Sequence, residues 1–229
     1  MTMRTLVVTG ASSGLGAAIS RAATEAGYRV VGVARSTAND ADHEMRSVDV
    51  SDWEQVRQFS REMRNVEGLY GLINAAGVAS MNLTLSTPPE TMLRIISTNL
   101  LGTMYCCTAI GKLLARRRNG RIINFSTIAA PLGLKGEATY VASKTGVEGF
   151  SRSFAREMAD FDVTVNVVAP GPIPTRLIRH VPDRSIDDIV RHQIIQRQAT
   201  PADVWQIISL LLEDRAAMVT GETIHVGGV

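Results

Sequence analysis

Residues 4–9 form a short, β-rich apolar run that leads directly into Gly10-Ala11-Ser12-Ser13-Gly14-Leu15-Gly16. No other junction restricts the fold of this chain as much. A helical pattern follows the glycines as far as Ala26 and is closed by Gly27; residues 28–34 then read as a second strand. Strand, glycine turn, helix and strand within about 30 residues make a βαβ unit, which demands parallel strands and a right-handed crossover. Glycines without Cβ atoms let a phosphate approach the backbone, and the following helix presents free N–H groups and its positive dipole end. The spacing is G-x-x-x-G-x-G, and no G-K-[ST] follows, which argues against a nucleoside-triphosphatase loop.

The alternation continues to the end of the chain. Residues 45–50 read as a third strand ending around Asp49. Residues 53–66 read as an amphipathic helix with Asp52 as N-cap and Gly68 beyond its end. A strand over 69–74 leads into Asn74-Ala75-Ala76-Gly77. Pro88 and Pro89 open a long helical region that carries Asn99 and ends near Arg118. Strands over 121–126 and 163–169 flank a helix over 139–158, and Pro170-Gly171-Pro172 stops the second of them. Pro201 suits the first position of a helix capped by Thr200, and residues 223–226 form a last short strand. The pattern predicts an α/β fold over residues 1–229: one Rossmann-type domain, a doubly wound parallel sheet of about seven strands with helices on both faces. Residues 175–198, polar and weakly helical, are a candidate lid. Ligands of such sheets lie beyond the carboxyl ends of the strands, so Gly10, Asn74, Thr127 and Pro170 should line one crevice.

Composition excludes several classes. A net charge of +2 over 229 residues makes no case for nucleic acid or an anionic membrane. The one basic run, residues 112–121, reads as a solvated helix end. Cys106 and Cys107 are adjacent and have no metal-ligand spacing, and the four histidines are scattered, so a reduced cytoplasmic protein without a metal site is expected. No secretory signal and no membrane-spanning apolar segment is apparent.

Tyr140 and Lys144 stand four residues apart in the helix over 139–158, on one face. Unit charges ~4 Å apart at an effective dielectric of ~20 attract by roughly 4 kcal/mol, so an ammonium there is expected to lower the phenol pKa by about one to three units. Tyr140 is then a candidate general acid/base.

With Thr9-Gly10-x-x-x-Gly14-x-Gly16, Asp49-Val50, Asn74-Ala75-Ala76-Gly77, Asn99, Tyr140-x-x-x-Lys144, Asn166, Pro170-Gly171 and Thr220-Gly221 in this order, the chain resembles the short-chain dehydrogenase/reductase family, in the branch that includes 3-oxoacyl-acyl-carrier-protein reductases. The resemblance spans essentially the whole chain. It implies an NAD(P)(H)-dependent oxidoreductase that interconverts a ketone and a secondary alcohol by hydride transfer, with Tyr140, Lys144, Thr127 and Asn99 as catalytic residues. Gly10, Ser12, Ser13, Gly14, Leu15 and Gly16 would hold the pyrophosphate, and Asp49 and Val50 the adenine. Asn74, Ala75 and Gly77 would lie against the cofactor, and Pro170, Gly171, Ile173 and Thr175 would wrap the nicotinamide, with Lys144 on its ribose. Asn99 would hold a water of a proton relay.

The family usually has serine where Thr127 stands; the hydroxyl supplies the same donor and acceptor. The segment between Arg35 and Met45 is too short for the helix that relatives place there. Ala34 occupies the place where an NAD enzyme carries a carboxylate, and Arg35 follows it, so NADP(H) is favoured over NAD(H). The substrate pocket is expected to draw on Ala129, Ala130, Pro131, Leu132, Leu134 and the lid. Relatives associate through the long helices, which implies a homotetramer or homodimer. Arg118 could hold an acidic carrier protein, but Asp160-Phe161-Asp162 would repel one. The rival readings are an acyl-carrier-protein or acyl-CoA reductase, a non-catalytic NADP(H)-binding sensor, and a structural oligomer subunit.

Overall fold

The computed structural model describes residues 3–36, 43–175 and 183–229. Its sheet has seven strands in the order β3-β2-β1-β4-β5-β6-β7. In chain order these are β1 (Thr5–Thr9), β2 (Arg29–Ala34), β3 (Glu44–Ser47), β4 (Leu69–Asn74), β5 (Gly120–Phe125), β6 (Val163–Pro170) and β7 (Thr223–Val226), every neighbouring pair parallel. The helices are α1 (Gly14–Glu25), α2 (Trp53–Met63), α3 (Pro89–Ile96), α4 (Gly102–Arg117), α5 (Ala129–Leu132), α6 (Ala138–Ala159), α7 (Asp183–Arg191) and α8 (Pro201–Leu212). The doubly wound α/β sheet expected from the sequence is the sheet observed.

The apolar runs of the strands follow from this architecture, because a parallel sheet covered on both faces has no wet side. Val7, Leu72, Ile122 and Val165 pack on one face with Val56 and Phe59 of α2, Ile110 and Leu114 of α4 and Met158 of α6. Leu6, Val8, Ile73 and Ile123 pack on the other with Ile19 of α1 and Val204, Ile208 and Leu211 of α8. Strand order reverses between β1 and β4, the two strands whose carboxyl ends carry Gly10 and Asn74.

Several boundaries differ from the sequence pattern for local reasons. β3 ends at Ser47 rather than near Val50. The Asp49 carboxylate accepts hydrogen bonds from the backbone N–H (2.9 Å) and hydroxyl (2.7 Å) of Ser51, and so turns the chain. Asp52 then caps α2 by accepting from the N–H groups of Glu54 and Gln55. α2 stops at Met63, and the Arg117 guanidinium donates to the carbonyls of Arg64 (3.1 Å) and Val66 (2.9 Å) just beyond it. The basic run is therefore not simply a solvated helix end. Arg121 is only 4% exposed and lies over the Tyr70 ring. Arg118, at φ 49, ends α4 and sits 3.4 Å from Asp162.

The long helical region divides into α3 and α4 around a π-helical turn, Ser97–Leu101, centred on Asn99. A widened turn of this kind is frequent at functional sites. α8 begins with a full capping box between Thr200 and Asp203. The shortened segment before β3 falls partly on residues 37–42, and the lid partly on 176–182; both stretches lie outside the described residues. Of the lid, α7 is described and is helical. No helix among the described residues is long and apolar enough to cross a membrane, and no group of side chains among them could hold a metal ion.

Candidate active site

A cleft of about 740 Å³ opens at the carboxyl ends of β1, β4, β5 and β6. One end is built by the turn from β1 to α1. There Gly10, at φ +71, leaves no room for a side chain: an added Cβ would lie 2.8 Å from Ala76 Cα. Gly16 is tighter, because a Cβ there would lie 2.3 Å from the Gly10 carbonyl oxygen. Gly14 differs: a Cβ there would meet Thr175 at an ordinary 3.6 Å, and it is the left-handed φ of +56 that favours glycine. Ser13 starts α1 without a side-chain cap, which leaves first-turn N–H groups available to a ligand. Close backbone approach and an uncapped helix N-terminus fit the pyrophosphate of a dinucleotide. Arg35 lies exposed on the same wall, immediately after Ala34.

At the other end Thr127, Tyr140 and Lys144 line the cleft together. β5 and the short α5 place Thr127, whose Oγ1 accepts from the Ala129 N–H at 3.2 Å. Its hydroxyl is within hydrogen-bonding reach of the Tyr140 phenol. α6 carries Tyr140 and Lys144 one turn apart, with the ammonium 6.0 Å from the ring centroid. Lys144 is 5% exposed and donates to the Phe125 carbonyl at 3.0 Å.

The electrostatics correct one expectation. Burial raises the Tyr140 pKa, the Glu137 charge adds to the rise, and the Thr127 hydrogen bond only partly opposes it. Burial also draws Lys144 down to about 8. A phenolate and an ammonium would both lose hydration here, and the ammonium spends its close contact on a carbonyl rather than on the phenol. In the protein alone Tyr140 is thus a protonated donor.

Most of the residues singled out in the sequence meet here. Gly10, Ser12, Ser13, Gly14, Leu15, Gly16, Arg35, Asp49, Val50, Ala75, Gly77, Thr127, Tyr140, Lys144, Pro170, Gly171, Ile173 and Thr175 all line the cleft. Asn74 and Asn99 do not. The Asn74 amide donates to Asn124 Oδ1 (2.8 Å) and Cys107 Sγ (3.3 Å), and Asn124 donates on to Ser151 Oγ of α6 at 2.8 Å. Asn99 bonds the Val78 N–H (2.8 Å) and carbonyl (2.9 Å) and donates to Ser143 Oγ (3.0 Å), so its side chain ties the segment after β4 to α6. Ala129 and Leu134 line the substrate end; Ala130, Pro131 and Leu132 are not among the lining residues. Ile186 and Ile189 reach the cleft from α7.

The sequence reading missed Glu137 and Arg94 on the cleft wall, and Glu148, which accepts from Ser126 Oγ. Helical spacing held the missing signal. Glu137, Tyr140, Lys144 and Glu148 recur at three- and four-residue steps and so share a face.

Comparison with known proteins agrees with this geometry. A family profile described as Enoyl-(Acyl carrier protein) reductase matches residues 10–228. The 3-oxoacyl-[acyl-carrier-protein] reductase FabG of Escherichia coli is 33% identical over 231 residues, covering 97% of this chain and 95% of the relative. Its namesake from Staphylococcus aureus is 33% identical over 238 residues, covering 98% and 97%. Among solved structures, ElxO with NADP bound superimposes with a TM-score of 0.88 at 26% identity, covering 98% of this chain and 97% of that one. The ligand-free aldohexose dehydrogenase of Thermoplasma acidophilum gives 0.90 at 27% identity, covering 99% and 93%. The chain belongs to the short-chain dehydrogenase/reductase family, in the branch resembling the 3-oxoacyl-acyl-carrier-protein reductases.

Proposed function

We propose that the protein is an NADP(H)-preferring oxidoreductase that interconverts a ketone and a secondary alcohol. The observation that carries this is the convergence of Thr127, Tyr140 and Lys144 in a cleft whose far end is the glycine cradle at the start of α1. A nicotinamide cofactor, when bound, supplies the two electrons that reduce the carbonyl carbon. Gly10, Ser12 to Gly16 and Arg35 hold and select it, while Pro170, Gly171, Ile173 and Thr175 enclose its reactive end.

The chain's own residues handle the substrate oxygen. Thr127 donates a hydrogen bond to it. Tyr140 donates a second and releases its proton as negative charge develops. The phenol is protonated in the free protein, so its proton is in place before the carbonyl oxygen arrives. Lys144 steadies the phenolate once it forms. Asn99 acts indirectly, by fixing Val78, whose neighbour Gly77 lies near Lys144, and Ser143, which donates to the Tyr140 carbonyl.

Thr127→Val removes one donor at nearly constant volume. It is expected to lower kcat by about 10²–10³-fold, the usual effect of deleting an oxyanion donor. Single-turnover rates that match the parent would refute the role. The cofactor preference is tested with a ketone panel assayed with both reductants. A guanidinium–phosphate hydrogen bond of about 1.5–3 kcal/mol predicts NADPH favoured by about 10–100-fold in kcat/KM, falling toward parity in Arg35→Ala. A preference for NADH would overturn the choice of cofactor.

The names of the relatives favour a second reading, reduction of a 3-oxoacyl thioester on a carrier protein. The ion pair of Arg118 with Asp162 weighs against carrier docking, because the cation that an acidic carrier would need is already engaged. Including a 3-oxoacyl thioester in the panel separates the two.

A further inference from the structure

Glu137 lies one helical turn before Tyr140 and lines the same cleft. It occupies the N-cap position of α6, yet its side chain caps nothing. Among the described residues its carboxylate accepts no hydrogen bond and pairs with no cation. It is half-buried, and burial holds its pKa above the usual carboxylate range. A carboxylate withdrawn from water without a partner costs free energy, and a cleft wall is where such a group gains its partner from a ligand. Leu134, Ile186 and Ile189 make the surrounding wall apolar. In such pockets a few polar groups set the orientation of the ligand. Apart from Lys144, the charged groups lining this end of the cleft among the described residues are Glu137 and the exposed Arg94.

We propose that Glu137 determines specificity by accepting a hydrogen bond from a substrate hydroxyl, so that the enzyme acts on hydroxylated ketones. Side chains three apart on a helix stand about 5–6 Å apart at Cβ, which places that hydroxyl two or three bonds from the reacting carbonyl. A simple 3-oxoacyl thioester offers no such donor, and its second carbonyl would face the carboxylate lone pairs. This inference rests on the ketone–alcohol chemistry proposed above.

The test compares kcat/KM with NADPH for 1-hydroxy-2-butanone and 4-hydroxy-2-butanone against 2-butanone, in the parent, Glu137→Gln and Glu137→Leu. A hydrogen bond to a charged acceptor predicts that the parent favours at least one hydroxy ketone by about 10–100-fold. The ratio should fall to near one in Glu137→Leu and to an intermediate value in Glu137→Gln, whose amide oxygen still accepts. A fluorescence titration with NADPH identifies folded variants, and a ratio of rates is insensitive to the amount of active protein. A parent ratio near one, or a ratio that survives Glu137→Leu, overturns the assignment while leaving ketone reduction standing. If the parent turns over none of these ketones nor a wider panel faster than Tyr140→Phe does, the ketone–alcohol chemistry itself fails and Glu137 loses its role with it.

Discussion

Tyr140→Phe is expected to lower kcat for ketone reduction by about 10³–10⁴-fold, toward the upper end of what one positioned proton donor contributes. The ring stays, so the packing of α6 against α3 and the sheet stays with it. What is lost is a single hydroxyl that bonds Thr127 and faces the cleft. The stability change should stay within about 1 kcal/mol, since one neutral hydrogen bond is removed together with one polar group that burial disfavours. NADPH titration and thermal unfolding serve as controls. Residual turnover within tenfold of the parent would remove Tyr140 from the chemistry and move attention to Thr127.

Lys144→Met should separate stability from activity. Turnover is expected to fall by about 10³-fold or more, because the variant loses both the stabiliser of the phenolate and a cofactor contact. Stability should move the other way. Burial holds the Lys144 pKa at about 8 against an ordinary 10.5, so below about pH 8 the folded state carries a charge it would rather release. At neutral pH that penalty is roughly 3 kcal/mol. Between the two values the unfolded chain binds a proton that the folded chain has lost, so this group makes stability rise with pH; above 10.5 the penalty is gone. Methionine fills similar volume without charge but forfeits the charged bond to the Phe125 carbonyl, an offset of about 1.5 kcal/mol. The net expectation is a gain of about 1–2 kcal/mol at pH 7, read as a melting temperature several degrees higher, that shrinks to nothing near pH 10.5. A lower melting temperature at pH 7 would mean that the buried ammonium is compensated by its surroundings.

These expectations show where the sequence was legible. Alternating strand and helix periods specify a parallel sheet, and the sheet places the residues after each strand in one crevice. Gly10, Thr127 and Pro170 were therefore locatable before any coordinates. Features set by short-range competition were not. The π turn at Asn99 is a slip in hydrogen bonding that leaves the apolar pattern unchanged. A charge-pair estimate misses the upward shift of Tyr140, because it omits the water that both groups surrender on burial. Glu137 was overlooked as one polar residue in a polar loop; only its place beside Tyr140 distinguishes it. Arg121 reads as solvated in the sequence because nothing in its own neighbourhood announces Tyr70 and Asp214, which reach it from distant parts of the chain.

The chain of amides from Asn74 through Asn124 to Ser151 runs beneath the cleft and ends on the middle of α6, eleven residues beyond Tyr140. Apolar packing alone lets a helix slide along a sheet by a fraction of a turn at small expense. A buried amide permits no such drift, because a displaced donor finds no water to replace its partner. The aim of Tyr140 is thereby keyed from below, by groups that touch no substrate. The cleft wall at Met81, Leu134 and α7 lies outside that network. Its side chains are free to diverge as substrates change while the proton donor keeps its bearing.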